Sequence, residues 1–287
     1  MRISVSSYSF MGYIRAGRLD QLSAVKAARD IGLDAIEFTD LTPPEGIDEG
    51  RYAQMIRDEA EKNGMKINAY TVSASLYHTT EEGSRAETDR LMKKVNVAGI
   101  LGAGVMRHDA CWKYGTGAAR NFDVMLPVIA ANARAVTEYA AAHGIRTCTE
   151  NHGMIAQDSD RMEKLVAAVN HPNYGLLIDI GNFACADEDS VHAVSRLAPL
   201  AFHVHAKDFT RRSFEQGAAP GYFQTRGCNW LRGEAVGDGV IPVKQCLAIL
   251  KKAGYDGYLS IEYEGKDDCI EGIARGYENL KKYLAEI

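Results

Sequence analysis

Four side chains of the types that bind metal ions each stand at the end of a short, largely apolar segment. The segments are RTCTE, YGLLID, FHVH and GYLSIE, and the residues are Glu150, Asp179, His205 and Glu262. Two glutamates, an aspartate and a histidine supply oxygen ligands and one nitrogen, a set that suits Mn²⁺, Mg²⁺, Co²⁺ or Zn²⁺. The four residues could bind one divalent ion if the fold brings the ends of these segments together.

A helix-like segment, a glycine and a strand-like segment follow one another repeatedly along the chain. The glycine of this pattern occurs five times, as Gly32, Gly64, Gly102, Gly144 and Gly254. Glycine often terminates a helix because, lacking Cβ, it adopts the left-handed backbone conformation found there without a clash. Helices that alternate with strands in this way indicate a parallel sheet.

About eight strands are predicted, and eight strand–helix units indicate an α/β fold, a closed (β/α)8 TIM barrel, with residues 1–287 forming a single domain. The predicted strands span residues 3–8, 34–38, 66–72, 104–108, 145–150, 174–179, 201–207 and 258–263. An open, doubly wound sheet is the alternative, but its first turn is usually rich in glycine, and no GxGxxG motif follows Tyr8. The glycine-containing segment 209–236 is predicted to be a long loop at the catalytic end of the barrel.

The spacing of the four candidate ligands agrees with neighbouring strands of such a barrel. The steps from Glu150 to Asp179 and from Asp179 to His205 are 29 and 26 residues, and the step to Glu262 is 57 residues, which includes the long segment. Strands of a barrel bring their carboxyl ends to one mouth, where active sites lie. His203 and His205 share a face of their strand. We expect His205 to bind the ion and His203 to form hydrogen bonds below it.

Composition and charge argue against several other classes of protein. The net charge is −5 and no run of lysine and arginine exceeds two residues, which is atypical of a nucleic-acid-binding protein. The first residues have no apolar signal core, and no stretch of 18 apolar residues predicts a membrane helix. Six cysteines occur without a CxxC pair, as is usual for reduced thiols. We therefore expect a cytoplasmic protein that binds neither nucleic acid nor a membrane.

Several motifs resemble the xylose isomerase-like barrel superfamily, in particular its branch of sugar phosphate isomerases and epimerases. The motifs are EFTD (37–40), ENHG (150–153), DIGN (179–182), HVHAKD (203–208) and the segment 236–265. The resemblance implies that Glu150, Asp179, His205 and Glu262 bind one divalent ion, usually manganese. It also implies that Glu150 and Glu262 act as the two catalytic bases, and that Arg211 contacts the substrate.

The sequence departs from the ketose 3-epimerases of this superfamily at two positions. Those enzymes have a second histidine where Asn182 lies and a further glutamate where Ala156 lies, and both differences argue against a plain ketose 3-epimerase. The related apurinic endonucleases hold three metals with additional histidines, whereas the long segment after His205 contains no histidine.

The function expected from these residues is that of a metal-dependent isomerase or epimerase acting on a keto sugar or sugar phosphate. A divalent ion that binds the carbonyl oxygen acidifies the neighbouring C–H by stabilising an enediolate. Two bases can then remove and return the proton. His152 is a competing base, since it lies two residues beyond Glu150 and would face the same mouth if the strand continued.

Two alternatives stand beside this function. The segment ENH also resembles the catalytic subunits of C-glycoside deglycosidases, in which a histidine beside the metal starts β-elimination from a 3-oxo sugar. In that case His152 would be the base of a lyase. The other alternative, from a different class, is a non-catalytic sugar-binding barrel, because a fold alone does not imply catalysis.

Six side chains close to the predicted mouth are candidates for contacts with a small sugar substrate. They are Tyr8, His108, Trp112, Asn182, Lys207 and Arg211. The segment Gly237-Asp238-Gly239 precedes the last full helix and is either a phosphate site built from free amides or a tight glycine turn. We expect a homo-oligomer, and the resemblance to the deglycosidases adds the alternative of a smaller second subunit.

Overall fold

Eight parallel strands close into a barrel in the computed structural model, which describes residues 1–112 and 121–287. The strands in these ranges are β1 (Arg2–Ser6), β2 (Ala35–Thr39), β3 (Lys66–Val72), β4 (Val105–His108), β5 (Arg146–Glu150), β6 (Tyr174–Asp179), β7 (Ala201–Ala206), β8 (Asp208–Arg212), β9 (Phe223–Gln224), β10 (Trp230–Glu234) and β11 (Tyr258–Ile261). The barrel order is β1-β11-β7-β6-β5-β4-β3-β2. The predicted (β/α)8 barrel is therefore confirmed.

Helices surround the barrel and return the chain from each strand to the next. They are α1 (Met11–Arg15), α2 (Gln21–Ile31), α3 (Glu49–Lys62), α4 (Glu81–Leu101), α5 (Phe122–Ala142), α6 (Ser159–Val169), α7 (Ser190–Leu197), α8 (Val243–Lys252) and α9 (Cys269–Glu286). Helices α2 and α4 end at Gly32 and Gly102, whose φ angles are +106° and +77°. The other three predicted glycines also have positive φ, so this part of the pattern was interpreted correctly. None of the helices in the described ranges is long and apolar enough to cross a membrane.

Side chains on the outer face of the barrel pack against these helices in one continuous core. Helix α8 contributes Val243, Cys246, Leu247 and Leu250, which share one face of the helix and are all buried. Pro242 caps this helix at the position just before its first turn. The core holds each strand rigidly, so that side chains at the strand ends have fixed positions.

The barrel interior is apolar at its base and polar at its mouth. Ala69, Val105, Cys148 and Leu177 form a small apolar cluster inside the barrel. Two residues further along the respective strands, the interior positions are occupied by charged groups such as Arg107, Glu150 and Asp179, which are buried. Since alternate residues of a strand share a face, the polar groups stand directly above the apolar cluster.

The segment predicted to be a long loop instead forms a three-stranded antiparallel sheet, in the order β8-β10-β9. The prediction was wrong because four glycines spread through the segment suggested a loop, and of its three short strands only β10 has a regular alternation of burial. Phe209 and Leu231 form the buried side and pack against Ala184 and Ile241. The backbone of Gly233 also bridges to Gly265, which ties this sheet to the segment that follows β11.

Candidate metal centre

The four predicted ligands converge at the carboxyl ends of β5, β6, β7 and β11. Their ligand atoms all lie within 4.8 Å of one another. Nδ1 of His205 is 3.7 Å from Glu150 Oε1, 3.9 Å from Asp179 Oδ2 and 3.6 Å from Glu262 Oε2. Residues separated by up to 112 positions in the sequence thus form one cluster.

The chemistry of this cluster fits a divalent ion. Among the described residues, neither of the buried atoms His205 Nδ1 and Asp179 Oδ2 has a hydrogen-bond partner, and Asp179 Oδ2 has an ion-pair contact of 3.2 Å with Lys207 Nζ. Burial raises the pKa of Asp179 to about 7, Lys207 opposes this shift, and the Glu262 and Glu150 charges add to it. The three distances from His205 Nδ1, 3.6–3.9 Å, are somewhat longer than the separations of roughly 3.0–3.4 Å between neighbouring atoms that bind one ion at about 2.1 Å. A shared cation would remove the cost of these crowded carboxylates.

Glu37 and His203 hold the metal-facing imidazole from below. Both Glu37 oxygens lie 3.0–3.1 Å from His205 Nε2, and Glu37 Oε2 is 2.5 Å from His203 Nε2. A carboxylate only accepts hydrogen bonds, so His205 carries its proton on Nε2 and directs the Nδ1 lone pair at the other three ligands. His203 therefore lies where it was predicted, whereas no role was predicted for Glu37. The ligand-type atoms of Glu37, His203 and His205 also cluster, and they stand at hydrogen-bond distances from one another.

A buried ammonium group lies beside the cluster. Lys207 Nζ forms an ion pair with Glu262 Oε2, and it is 3.2 Å from Asp179 Oδ2 and 3.5 Å from Glu264 Oε1. It also donates a hydrogen bond of 3.3 Å to Asn182 Oδ1. Burial disfavours this charge, but the three carboxylates outweigh burial and raise the pKa of Lys207 well above its usual value.

Arg107 and Asp109 belong to the site, although neither was predicted from the sequence. Arg107 Nη2 is 2.6 Å from Glu150 Oε2 and 2.7 Å from Asp109 Oδ1. Burial opposes the ionisation of Glu150, but the charges of Arg107 and His205 lower its pKa well below the usual value. The only sequence signal for Arg107 is a charged residue inside the short strand VMRH.

His152 lies at the mouth of the barrel, next to the cluster. Strand β5 ends at Glu150, and the His152 amide donates 2.8 Å to the Glu150 carbonyl oxygen, so the strand does not continue as expected. The His152 side chain nevertheless lines the cavity, with Nδ1 2.9 Å from Asp109 Oδ1 and 2.9 Å from Arg107 Nη2. Burial lowers the pKa of His152, but the Asp109 hydrogen bond and the Glu150 charge together outweigh burial. The pKa of His152 is therefore raised above its usual value.

Two cavities meet at this mouth, and four predicted substrate contacts line them. The larger cavity, about 670 Å³, contains Glu150, His205 and Glu262 together with Tyr8. The smaller one, about 430 Å³, contains Asn182 and Lys207. Trp112, His152 and Glu264 line both cavities. Volumes of this size accommodate small-molecule ligands.

Two other predicted substrate contacts, His108 and Arg211, lie outside both cavities. On β4 the Arg107 side chain points into the barrel, so His108 points outward and is buried beside Tyr174. The half-exposed side chain of Arg211 forms an ion pair of 3.1 Å with Asp187. The structure therefore gives neither residue a position from which it reaches the cluster.

The candidate phosphate site is occupied by a side chain of the protein itself. The amides of Gly237, Gly239 and Ile241 donate to the Asp208 carboxylate at 2.9, 3.0 and 3.0 Å. Asp208 is buried, so these amides serve an internal carboxylate and form the tight turn that was the other interpretation of this segment.

Comparison with known families agrees with the barrel fold. A family model described as xylose isomerase-like TIM barrel matches residues 25–285. Since the match covers most of the chain, this chain belongs to the xylose isomerase-like TIM barrel family.

Individual relatives are more distant. Inosose dehydratase of Clostridium perfringens is 24% identical over 148 residues, which are 51% of this chain and 50% of that protein. The chain spans about half the length of the curated relatives it matches. A crystal structure of IOLI protein with a bound zinc atom has a TM-score of 0.78 at 13% identity, covering 100% of this chain and 99% of that one. L-ribulose 3-epimerase has a TM-score of 0.72 at 16% identity, covering 99% and 95%. The two structures share the fold.

Proposed function

We propose that this protein is a divalent-metal-dependent lyase. It would remove the proton beside the carbonyl group of a polyhydroxy ketone and expel the oxygen substituent on the next carbon. The observation that carries the proposal is the position of His152, which lies against Asp109 and lines the cavity of the ion-binding side chains. Manganese is the ion that we expect, and magnesium, cobalt and zinc suit the same ligands.

The ligands and their surroundings prepare the site for this chemistry. When bound, the ion would supply Lewis-acid polarisation of the ketone oxygen, which stabilises the enolate that forms on proton loss. Glu150, Asp179, His205 and Glu262 would hold it at the barrel mouth. These side chains are buried or nearly so, and electrostatic interactions are stronger where water is excluded.

His152 is better suited than Glu150 to take the proton. Nδ1 lies 2.9 Å from the acceptor Asp109 Oδ1 and 2.9 Å from the donor Arg107 Nη2, and in the tautomer that donates to Asp109 the lone pair of Nε2 is available for the substrate proton. Glu150 is held by Arg107 and its pKa is lowered, so it is the weaker base. The raised pKa of His152 makes its imidazole a stronger base than an unperturbed histidine.

Two donors in the smaller cavity can assist the departure of the oxygen substituent. In the elimination the C–H bond breaks, its electrons form the C=C bond, and the C–O bond on the next carbon breaks. The departing oxygen gains negative charge and takes up a proton from solvent. The ammonium of Lys207 and the amide of Asn182 line this cavity, where they can stabilise that oxygen.

The curated relatives support elimination as the outcome. Their name, inosose dehydratase, describes the removal of water from a cyclic polyhydroxy ketone. Loss of an alcohol from a 3-oxo-glycoside is the same chemistry with a larger leaving group. Because these relatives match the chain over half their length, the substrate itself is part of the proposal.

An isomerase or epimerase is the second candidate. It is favoured by one observation, namely that two carboxylates, those of Glu150 and Glu262, lie 3.7 and 3.6 Å from His205 Nδ1, so that two proton-transferring groups adjoin the candidate ion site. The ion pair between Glu150 and Arg107 argues against it, because it weakens one of the two bases. The contact between His152 and Asp109 argues against a non-catalytic barrel, because it orients an imidazole as a general base is oriented.

Turnover in D₂O separates these candidates. The purified protein, loaded with Mn²⁺, would be incubated with inososes, 3-oxo-glycosides and free ketoses and followed by NMR. We expect an unsaturated ketone together with released water or alcohol. Deuterium on the carbon beside the carbonyl of an otherwise intact sugar would instead identify an epimerase or isomerase, and unchanged substrates throughout would contradict both.

A further inference from the structure

We infer that Lys207 is an internal counter-ion that competes with the divalent ion for the same carboxylate oxygens, so that ion binding turns its ammonium group toward the smaller cavity. This inference depends on the metal site of the proposed function but not on the reaction. It assigns to Lys207 control over how tightly the ion is held, beside the contact with substrate.

The competition follows from which oxygen atoms Lys207 contacts. Its Nζ lies against Asp179 Oδ2, at 3.2 Å, and against Glu262 Oε2. These are the two oxygens that face His205 Nδ1 at 3.9 and 3.6 Å. The ammonium group and a divalent ion would therefore compete for the same two oxygens. Lys207 is only 3% exposed, so water contributes little to the solvation of its charge.

Arg107, the other buried cation of the site, provides an internal contrast. It contacts Glu150 through Oε2, at 2.6 Å, whereas His205 Nδ1 faces Oε1 of the same carboxylate. Arg107 thus does not contact Oε1, the oxygen of Glu150 that faces His205 Nδ1 and accepts a 3.0 Å hydrogen bond from Asn182 Nδ2. Only Lys207, of these two cations, lies on oxygens that the ion requires.

The surroundings offer the ammonium a second position. Glu264 Oε1 and Asn182 Oδ1 lie 3.5 and 3.3 Å from Nζ, and both residues line the smaller cavity together with Lys207. Repulsion between two cations at such distances in a buried site is strong. A flexible four-carbon chain allows the ammonium to move onto Glu264 and Asn182 while the ion takes Asp179 and Glu262.

Manganese titration of Lys207→Met tests the inference. Binding of Mn²⁺ alone would be measured by electron paramagnetic resonance at fixed pH and ionic strength, with thermal unfolding as a second readout. We expect the Kd for Mn²⁺ to fall at least tenfold and Mn²⁺ to raise the Tm more than it does in the wild type. Lys207→Gln, which retains a polar side chain, is expected to change the Kd and the Tm in the same directions. It replaces Lys207→Met in the test if that variant does not fold.

Lys266→Met is the matched control. Lys266 is an exposed lysine at the same mouth and lines a cavity with Tyr8 and Glu264, so its replacement should leave the Kd within about twofold, because exposed charges are screened. Equal or weaker Mn²⁺ binding by both Lys207 variants would overturn the inference while leaving the metal site intact. Failure of the wild type to bind Mn²⁺ would overturn the metal site and the inference together.

Discussion

Replacement of Asp179 by asparagine is expected to lower kcat/KM by at least a thousandfold and to abolish stoichiometric Mn²⁺ binding. Asp179 Oδ1 accepts hydrogen bonds from the amides of Gly181 and Asn182, and an amide oxygen can keep both. The other oxygen, which faces His205, becomes an NH₂ group that cannot bind a cation. The fold should therefore survive while one ligand is lost. The measurement is metal content after Mn²⁺ loading, together with turnover of the substrate found in the D₂O screen.

Chelation gives the complementary result for the wild type. Removal of the ion should abolish turnover, and Mn²⁺ should restore it in the wild type but not in Asp179→Asn. Asp160→Asn is a suitable control, because Asp160 is an exposed residue in the first turn of α6 and should change neither quantity. Turnover above a tenth of the wild-type value in Asp179→Asn would show that the four residues do not form the reaction centre.

The second large effect is expected for His152→Ala, in which kcat should fall by about 10²–10⁴-fold, the usual contribution of a general base. Metal content should be unchanged, since His152 is not one of the four ligands. Exchange of the substrate proton with D₂O should be lost to the same extent as product formation. Kinetics and NMR on the same samples measure both.

Asp109→Asn extends this test to the residue that orients the imidazole. The asparagine amide can donate as well as accept a hydrogen bond, so it no longer favours the tautomer with the proton on Nδ1. We expect a smaller loss of kcat than in His152→Ala, and little further loss of kcat when the two changes are combined. His143→Ala is the control, because His143 lies at the exposed end of α5. Nearly unchanged kcat in His152→Ala would refute the imidazole as the base and return Glu150 to that role.

The convergence of the four candidate ligands could be predicted because a parallel barrel makes the ends of its strands equivalent. Once eight strands are recognised, Glu150, Asp179, His205 and Glu262 must stand at similar heights on consecutive strands, however far apart they are in the sequence. The interior position of His203 follows from the same two-residue alternation. These predictions needed only element order and strand phase.

Residues that pair across strands were not predictable in this way. Glu37 and Arg107 are single charged residues within short strands, and their partners lie on other strands whose relative heights the sequence does not give. On β4 the sequence offers Arg107 and His108 side by side, and an error of one residue in the phase selects the outward-facing histidine.

His152 shows a different limit. Its place at the mouth was expected from a continued strand, but the chain turns directly after Glu150, and contacts with Asp109 and Arg107 set the side chain instead. Contacts of this kind depend on the loop after β4 and the turn after β5 meeting in space. The spacing of residues along the sequence does not predict contacts between these two segments.

A crystal of the protein soaked in Mn²⁺, with anomalous difference density recorded at the manganese edge, tests the central claim most directly. We predict a single strong peak about 2.0–2.4 Å from carboxylate oxygens of Glu150, Asp179 and Glu262 and from Nδ1 of His205. Absence of a peak between these four side chains, or a peak bound by other residues, would contradict the metal centre and the chemistry proposed for it.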